Sequence, residues 1–163
     1  MILRIIQPQQ GRIFYDSIDY RKIRIAAVRD SIGYVPQDSF LFSDTIEDNV
    51  RFGKPEATLE EIVQACRVAS IDKNIRELKQ QYKTPVGEKG VTLSGGQKQR
   101  LCIARAIIRR PQILILDDAL SAVDTNTEKE IIRNLEHYSQ GITTIVISHR
   151  ISCLLYTSDA ADE

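Results

Sequence analysis

The sequence lacks the features that would place it directly in a membrane, on a nucleic acid or in an oxidising compartment. No apolar run in its 163 residues approaches the ~18 needed to cross a bilayer. Met1 to Ile6 is too short and wrongly patterned for a signal peptide. Neither charge dominates: 22 Lys and Arg balance 22 Asp and Glu, so no global field favours nucleic acid or an anionic surface. The most basic stretch, "RKIRIAAVR" (Arg21 to Arg29), reads as a solvated face. Cysteine is scarce. Cys66, Cys102 and Cys153 form neither a metal nor a disulfide pattern and read as buried thiols in a reducing compartment. What remains is 42% hydrophobic and 27% charged, the balance of a globular domain with a real core. Any membrane role must pass through a partner or a further segment.

Three short β-like runs stand out. "SIGYVPQ" (Ser31 to Gln37) is a strand that Pro36 ends, since proline cannot donate to a ladder. "QILILDD" (Gln112 to Asp118) is a continuous apolar run ending in two carboxylates, and "TTIVISH" (Thr143 to His149) is β-branched. Continuous apolarity predicts strands buried on both faces, as in a parallel sheet covered by helices. Such sheets collect ligands at the carboxyl ends of their strands. The residues there are Gln37, the Asp117–Asp118 pair and His149, which together read as one site. Adjacent carboxylates repel, so something must gain from holding them side by side.

The stretch from Asp44 to Arg110 is polar and helix-rich. "TLEE" (Thr58 to Glu61) is a capping box, followed by Ile62, Ala65, Cys66 and Ala69 on one helical face. "TNTE" (Thr125 to Glu128) predicts another capped helix, with Ile131, Ile132 and Leu135 inward. "LSGGQKQRLCIARAIIRRP" (Leu93 to Pro111) is the most informative. Ser94 and Gln97 form a capping-box pair, Leu101, Ala104, Ile107 and Ile108 mark a buried face, Arg109 and Arg110 suit the negative helix end, and Pro111 stops it. Gly95 and Gly96 lie in the first turn, where each lowers stability by ~1 kcal/mol against alanine. Bare backbone at a helix N-terminus lets a bulky anion approach the exposed amides.

These residues resemble the ATP-binding cassette (ABC) ATPases. "LSGGQ" (Leu93 to Gln97) is similar to their signature motif, "ILILDD" to their Walker B strand and "SAVD" (Ser121 to Asp124) to their D-loop. Gln37 falls at the Q-loop position and His149 at the switch-histidine position. "FLFSDTIEDNVRFG" (Phe40 to Gly53) and "VGEKG" (Val86 to Gly90) resemble the exporter, multidrug-type subgroup, in which the second loop contacts transmembrane helices, with Glu88 the candidate contact. The resemblance implies an α/β fold: a P-loop NTPase-like, mostly parallel sheet with a helical subdomain. Residues 1–37 and 111–152 would form the ATPase core portion and 38–110 the helical subdomain.

The implied cofactors are ATP and Mg²⁺. In such ATPases two cassettes meet head to tail, and each nucleotide lies between the phosphate loop of one and the signature helix of the other. By resemblance Ser94, Gly95, Gly96 and Gln97 hold the γ-phosphate of a nucleotide bound mainly to a second ABC cassette. Asp117 orients Mg²⁺, Gln37 senses Mg²⁺ and the transmembrane partner, His149 supports the γ-phosphate and water, and Asp124 organises the facing subunit's site. Asp118 stands where the family usually has glutamate to polarise the attacking water. Aspartate is one methylene shorter, and a displacement of ~1 Å can lower a rate ~10²-fold. That pattern resembles one half of a heterodimeric exporter, placed at the cytoplasmic face of the cell's inner membrane through a transmembrane domain, with no nucleic-acid partner.

The family's phosphate loop has no counterpart here, and Ile2 to Ile6 resemble the end of the helix that such a loop opens. The domain is therefore expected to be truncated at both ends, and the chain alone to bind nucleotide poorly. "CLLYTSDAADE" (Cys153 to Glu163) resembles a translated sequencing adapter and is expected to be a non-native tail. The alternatives are a soluble cassette-type ATPase and a DNA-repair ATPase without transport. The latter inserts long coiled coils before the signature, and no heptad run of that length exists here.

Overall fold

The computed structural model describes residues 2–5, 8–87, 90–138 and 141–149. A short antiparallel hairpin comes first, β1 (Phe14–Tyr15) and β2 (Ile18–Asp19), followed by α1 (Ile25–Asp30) and β3 (Ile32–Val35). Then come α2 (Ile46–Arg51), α3 (Leu59–Val68), α4 (Asp72–Arg76) and α5 (Gly95–Ile107). β4 (Ile113–Asp117), α6 (Thr125–Tyr138) and β5 (Thr143–Ile147) complete the order. β3, β4 and β5 form one parallel sheet with β4 central. All three expected strands are present, in the expected parallel arrangement.

Helix starts follow local chemistry. Thr58 and Glu61 complete the capping box of α3, and Ser94 and Gln97 that of α5. The inward faces are those the periodicity marks: Ile62, Ala65, Cys66 and Ala69 on α3, and Leu101, Ala104, Ile107 and Ile108 around α5, are all buried. On α6, Ile131 and Leu135 are buried and Ile132 packs partly against the same core. One apolar cluster runs from α2 and α3 through α5 to β3, β4 and α6, so the helical layer and the sheet share a core.

Four details differ from expectation. Ile2–Ile5 form turns and bends with no helical turn among them, and Arg4 sits at φ 54°, outside the right-handed helical region; Ile6 lies outside the described residues. α5 ends at Ile107, before the arginine pair. Arg110 turns the chain at φ 50°, and Arg109 reaches Asp30 at 3.1 Å. α6 is capped by Asp124 and not by Thr125: Asp124 Oδ1 accepts from the Thr127 amide at 3.0 Å, and its carbonyl accepts from the Glu128 amide at 2.9 Å. β4 is buried, but β5 exposes Thr143, Thr144 and Ile147, because it is the sheet edge and no described element covers it. Glu88 and Cys153 to Glu163 lie outside the described residues.

Candidate functional site

The parallel sheet aims three chain segments the same way. Tyr34 lies near the end of β3 with Gln37 just beyond it, Asp117 closes β4 with Asp118 just beyond it, and His149 follows β5, all at the carboxyl end. Gln37 and His149 are exposed, and the two aspartates are partly buried. The structure brings Gln37 to Asp118, whose Oδ2 accepts from Gln37 Nε2 at a long 3.5 Å. Asp117 pairs with Ile147 across the β4–β5 ladder, which puts His149 two residues beyond the level of the carboxylate.

The adjacent carboxylates have different surroundings. Asp117 is still strand, and its Oδ2 accepts from the Tyr34 hydroxyl at 3.1 Å. Desolvation and then that carboxylate push the Tyr34 phenol's pKa up, so it stays a donor at neutral pH. Asp118 has left the strand with φ 48°, so its side chain projects differently from that of Asp117. Its amide donates to the Ile147 carbonyl at 2.8 Å, and its carbonyl accepts from Ser121 Oγ at 2.9 Å and Gln99 Nε2 at 3.4 Å. The turn conformation that separates the charges is thus fixed from both sides.

The loop from Asp118 to Asp124 then lies against the head of α5. Gly95 and Gly96 are the first helical residues, and their amides have no intrahelical acceptor. Ser94 Oγ accepts from the Gln97 amide at 3.2 Å, and Gln97 Oε1 accepts from the Ser94 amide at 2.9 Å. The Ser94 hydroxyl proton is still available to an acceptor outside the helix. Gly96 has an additional reason within the chain: a Cβ there would lie 2.6 Å from the Ala122 carbonyl oxygen. At Gly95 the nearest atom to such a Cβ is the Ala122 side chain at 3.3 Å. Asp124, at the far end of the loop, is held below the usual carboxylate range by its hydrogen bond from Thr127 and stays charged at the head of α6.

Two residues that pattern reading passes over belong to this arrangement. Tyr34 is an amphipathic aromatic within an otherwise apolar strand. Gln99 is buried at 4% exposure, and its sequence signal is an amide in the apolar stripe that continues through Cys102, Ile103 and Ala106.

A family model described as ABC transporter matches residues 1–121. The chain belongs to the ABC transporter family. Among curated relatives, this cassette is 46% identical over 159 residues to the multidrug resistance-like ATP-binding protein MdlA of Escherichia coli (strain K12), covering 98% of the chain and 27% of the relative. It is 44% identical over 155 residues to heavy metal tolerance factor 1 of Caenorhabditis elegans, covering 95% of the chain and 19% of the relative. A solved bacterial Atm1-family ABC exporter with ATP bound superposes with a TM-score of 0.88 at 41% identity, over 94% of this chain and 27% of that one. The cassette therefore spans about a fifth to a quarter of the length of these proteins. No helix among its described residues is long and apolar enough to cross a membrane.

The donor set suits Mg²⁺. Among the described residues no three His, Cys, Asp or Glu side chains cluster as a self-sufficient metal site. Mg²⁺ ordinarily takes one or two carboxylates, with water and substrate phosphates filling the octahedron. Asp117 supplies one such carboxylate at the open end of the sheet, and Gln37 adds a neutral carboxamide oxygen.

Proposed function

We propose that this cassette is the ATP-hydrolysing part of an ABC exporter, coupling ATP-driven pairing with a second cassette to movement of a substrate by a transmembrane domain. The observation that carries the reading is the convergence of Gln37, Asp117 and Asp118 at the sheet's carboxyl end, one loop away from the glycine-fronted head of α5. In the assembly, the amides of Gly95 and Gly96 and the Ser94 hydroxyl face the γ-phosphate of a nucleotide seated on the partner cassette. The capping pair with Gln97 keeps that helix start in shape. Asp124 extends from the loop toward the facing subunit.

On its own nucleotide, Asp117 and Gln37 hold Mg²⁺, which supplies charge neutralisation at the phosphates. Tyr34 fixes the rotamer of Asp117. Asp118 orients the attacking water, with Gln37 against its carboxylate, and His149 supports the γ-phosphate. Because Asp118 is one methylene shorter than the family's usual glutamate, this chain's own site turns over slowly while its signature helix serves a stronger site on a different partner. The assembly is then a heterodimer at the cytoplasmic face of the membrane. Residues 1–37 and 111–152 act as the ATPase core portion, and residues 38–110 as the helical arm. The exposed rings of Phe40 and Phe52, at 64% and 65% accessibility, offer apolar surface for the transmembrane partner to cover.

Steady-state ATPase of the assembled full-length pair tests this. Asp118→Asn is expected to lower turnover less than the equivalent change in the partner. Complete loss from Asp118→Asn alone overturns the asymmetric assignment, and no ATP turnover by the wild-type pair overturns the whole reading.

A further inference from the structure

We propose that Gln99 is a positioning residue that joins the phosphate-facing head of α5 to the Asp118 turn, so that the two nucleotide sites served by this cassette are mechanically linked inside one chain. The proposal rests on the functional reading above and adds to it a residue outside the signature, Walker B and D-loop motifs.

Gln99 lies three residues after Gly96, on the same face of α5. Its amide group is used at both ends. Oε1 accepts from the Ala122 amide at 2.9 Å, while Nε2 donates to Ser121 Oγ at 2.9 Å and to the Asp118 carbonyl at 3.4 Å. Ser121 Oγ donates to the same Asp118 carbonyl at 2.9 Å, which closes a small ring of hydrogen bonds. On its other side, the Asp118 amide is held by Ile147 of β5 at 2.8 Å. The Asp118 peptides are therefore anchored to the sheet edge and to α5 together, at a positive φ that a non-glycine residue keeps only when its surroundings impose it.

A position needed only for packing would be filled by an aliphatic side chain, as at Ile103 and Ile107 on the same helix. A buried amide is unfavourable unless it is fully bonded. Here it is bonded, and its partners all belong to the loop that carries Asp118 and Asp124. Gly96 brings that loop close enough for the bonds to form, because only a missing Cβ admits the Ala122 carbonyl. In the proposed assembly, Ser94 to Gln97 face the partner's nucleotide and Asp117 and Asp118 face this chain's own. A shift of α5 at one site is then passed to the Asp118 carboxylate at the other.

The test uses the full-length protein with its partner, comparing Gln99→Met, which keeps length and apolar bulk but removes the amide, with Ser121→Ala and the double variant. Gln99→Met is expected to lower kcat by about tenfold with KM for Mg-ATP unchanged within about twofold. Ser121→Ala is expected to lower kcat by less. The double variant is expected to be no worse than Gln99→Met alone, since both act through one ring of bonds. Hydrogen exchange at the Ala122 amide is expected to speed up in Gln99→Met, a readout that stands even if the wild type proves inactive and the functional reading fails. Unchanged exchange at Ala122 overturns the proposal. So does an unchanged kcat, a loss that only tracks the folded fraction, or an additive double variant. If Gln99→Met does not fold, Ser121→Ala decides, and an unchanged kcat there overturns the link.

Discussion

Alanine at Gly96 separates two reasons for a glycine at the head of α5. Helix propensity alone favours the change by ~1 kcal/mol. The structure opposes it. The new Cβ would stand 2.6 Å from the Ala122 carbonyl oxygen, about 0.8 Å short of ordinary contact, and that atom is backbone that cannot swing aside. Overpacking of this kind is unfavourable by ~1–3 kcal/mol. Moving Ala122 also strains the Gln99–Ala122 hydrogen bond, a further loss of ~1 kcal/mol. The net expectation is a destabilisation of about 1–3 kcal/mol. Gly95→Ala meets only the Ala122 side chain at 3.3 Å, a contact that yields by a few tenths of an ångström, so its helix gain survives and its stability stays at or slightly above wild type. Urea unfolding of the cassette followed by circular dichroism reads both, with an expected gap of about 2 kcal/mol between the variants. Gly96→Ala as stable as Gly95→Ala would refute the close approach of loop and helix. In the assembled protein, Gly95→Ala should nonetheless weaken ATP-driven pairing, because its methyl group enters the space assigned to the γ-phosphate.

Thr58→Ala removes the cap that accepts the Glu61 amide at 3.3 Å. It should lower stability by ~1 kcal/mol and the melting temperature by about 2–4 °C, measured by thermal unfolding. Asp72 is nearly buried. Burial raises its pKa, but Tyr82 and Arg76, with Arg67, more than offset this and hold it below the ordinary value. A folded-state pKa below the unfolded one contributes stability above about pH 4 that is lost as pH falls through the lowered value. Asp72→Asn should therefore be less stable at neutral pH and show a flatter acid limb, and an unchanged limb would exclude Asp72 as a contributor. The Cys66 thiol is fully buried and is pushed up to about 12 by desolvation, so alkylation at pH 8 should label it only in denaturant. Fast native labelling would contradict its place in the core.

Much of this protein is written in local sequence. The three continuous apolar runs read as strands are strands, Ile32–Val35, Ile113–Asp117 and Thr143–Ile147, and the capping boxes at Thr58 and Ser94 need only residues within three positions. The buried faces of α3 and α5 follow from a 3.6-residue period, and the resemblance of "LSGGQ" and "ILILDD" to family motifs needs no fold at all. Where reading the chain failed, the deciding partner was distant or the backbone left its common region. Asp124 displaced Thr125 as the α6 cap, Arg109 took Asp30 as its partner, and Arg4 lies outside the right-handed helical region where a helix end was expected.

The order of Gln37, Asp117, Asp118 and His149 along the chain determined that one sheet end would collect them, since parallel strands all finish on the same side. The motif resemblance implies different roles for the two neighbouring aspartates, but the different surroundings of their carboxylates were decided only in three dimensions. Sequence makes Asp117 and Asp118 chemically identical. Tyr34 from one strand, Ile147 from another and Gln99 from a helix make them different, because a carboxylate's direction is set by the atoms that hold its backbone and its oxygens, and those come from remote parts of the chain.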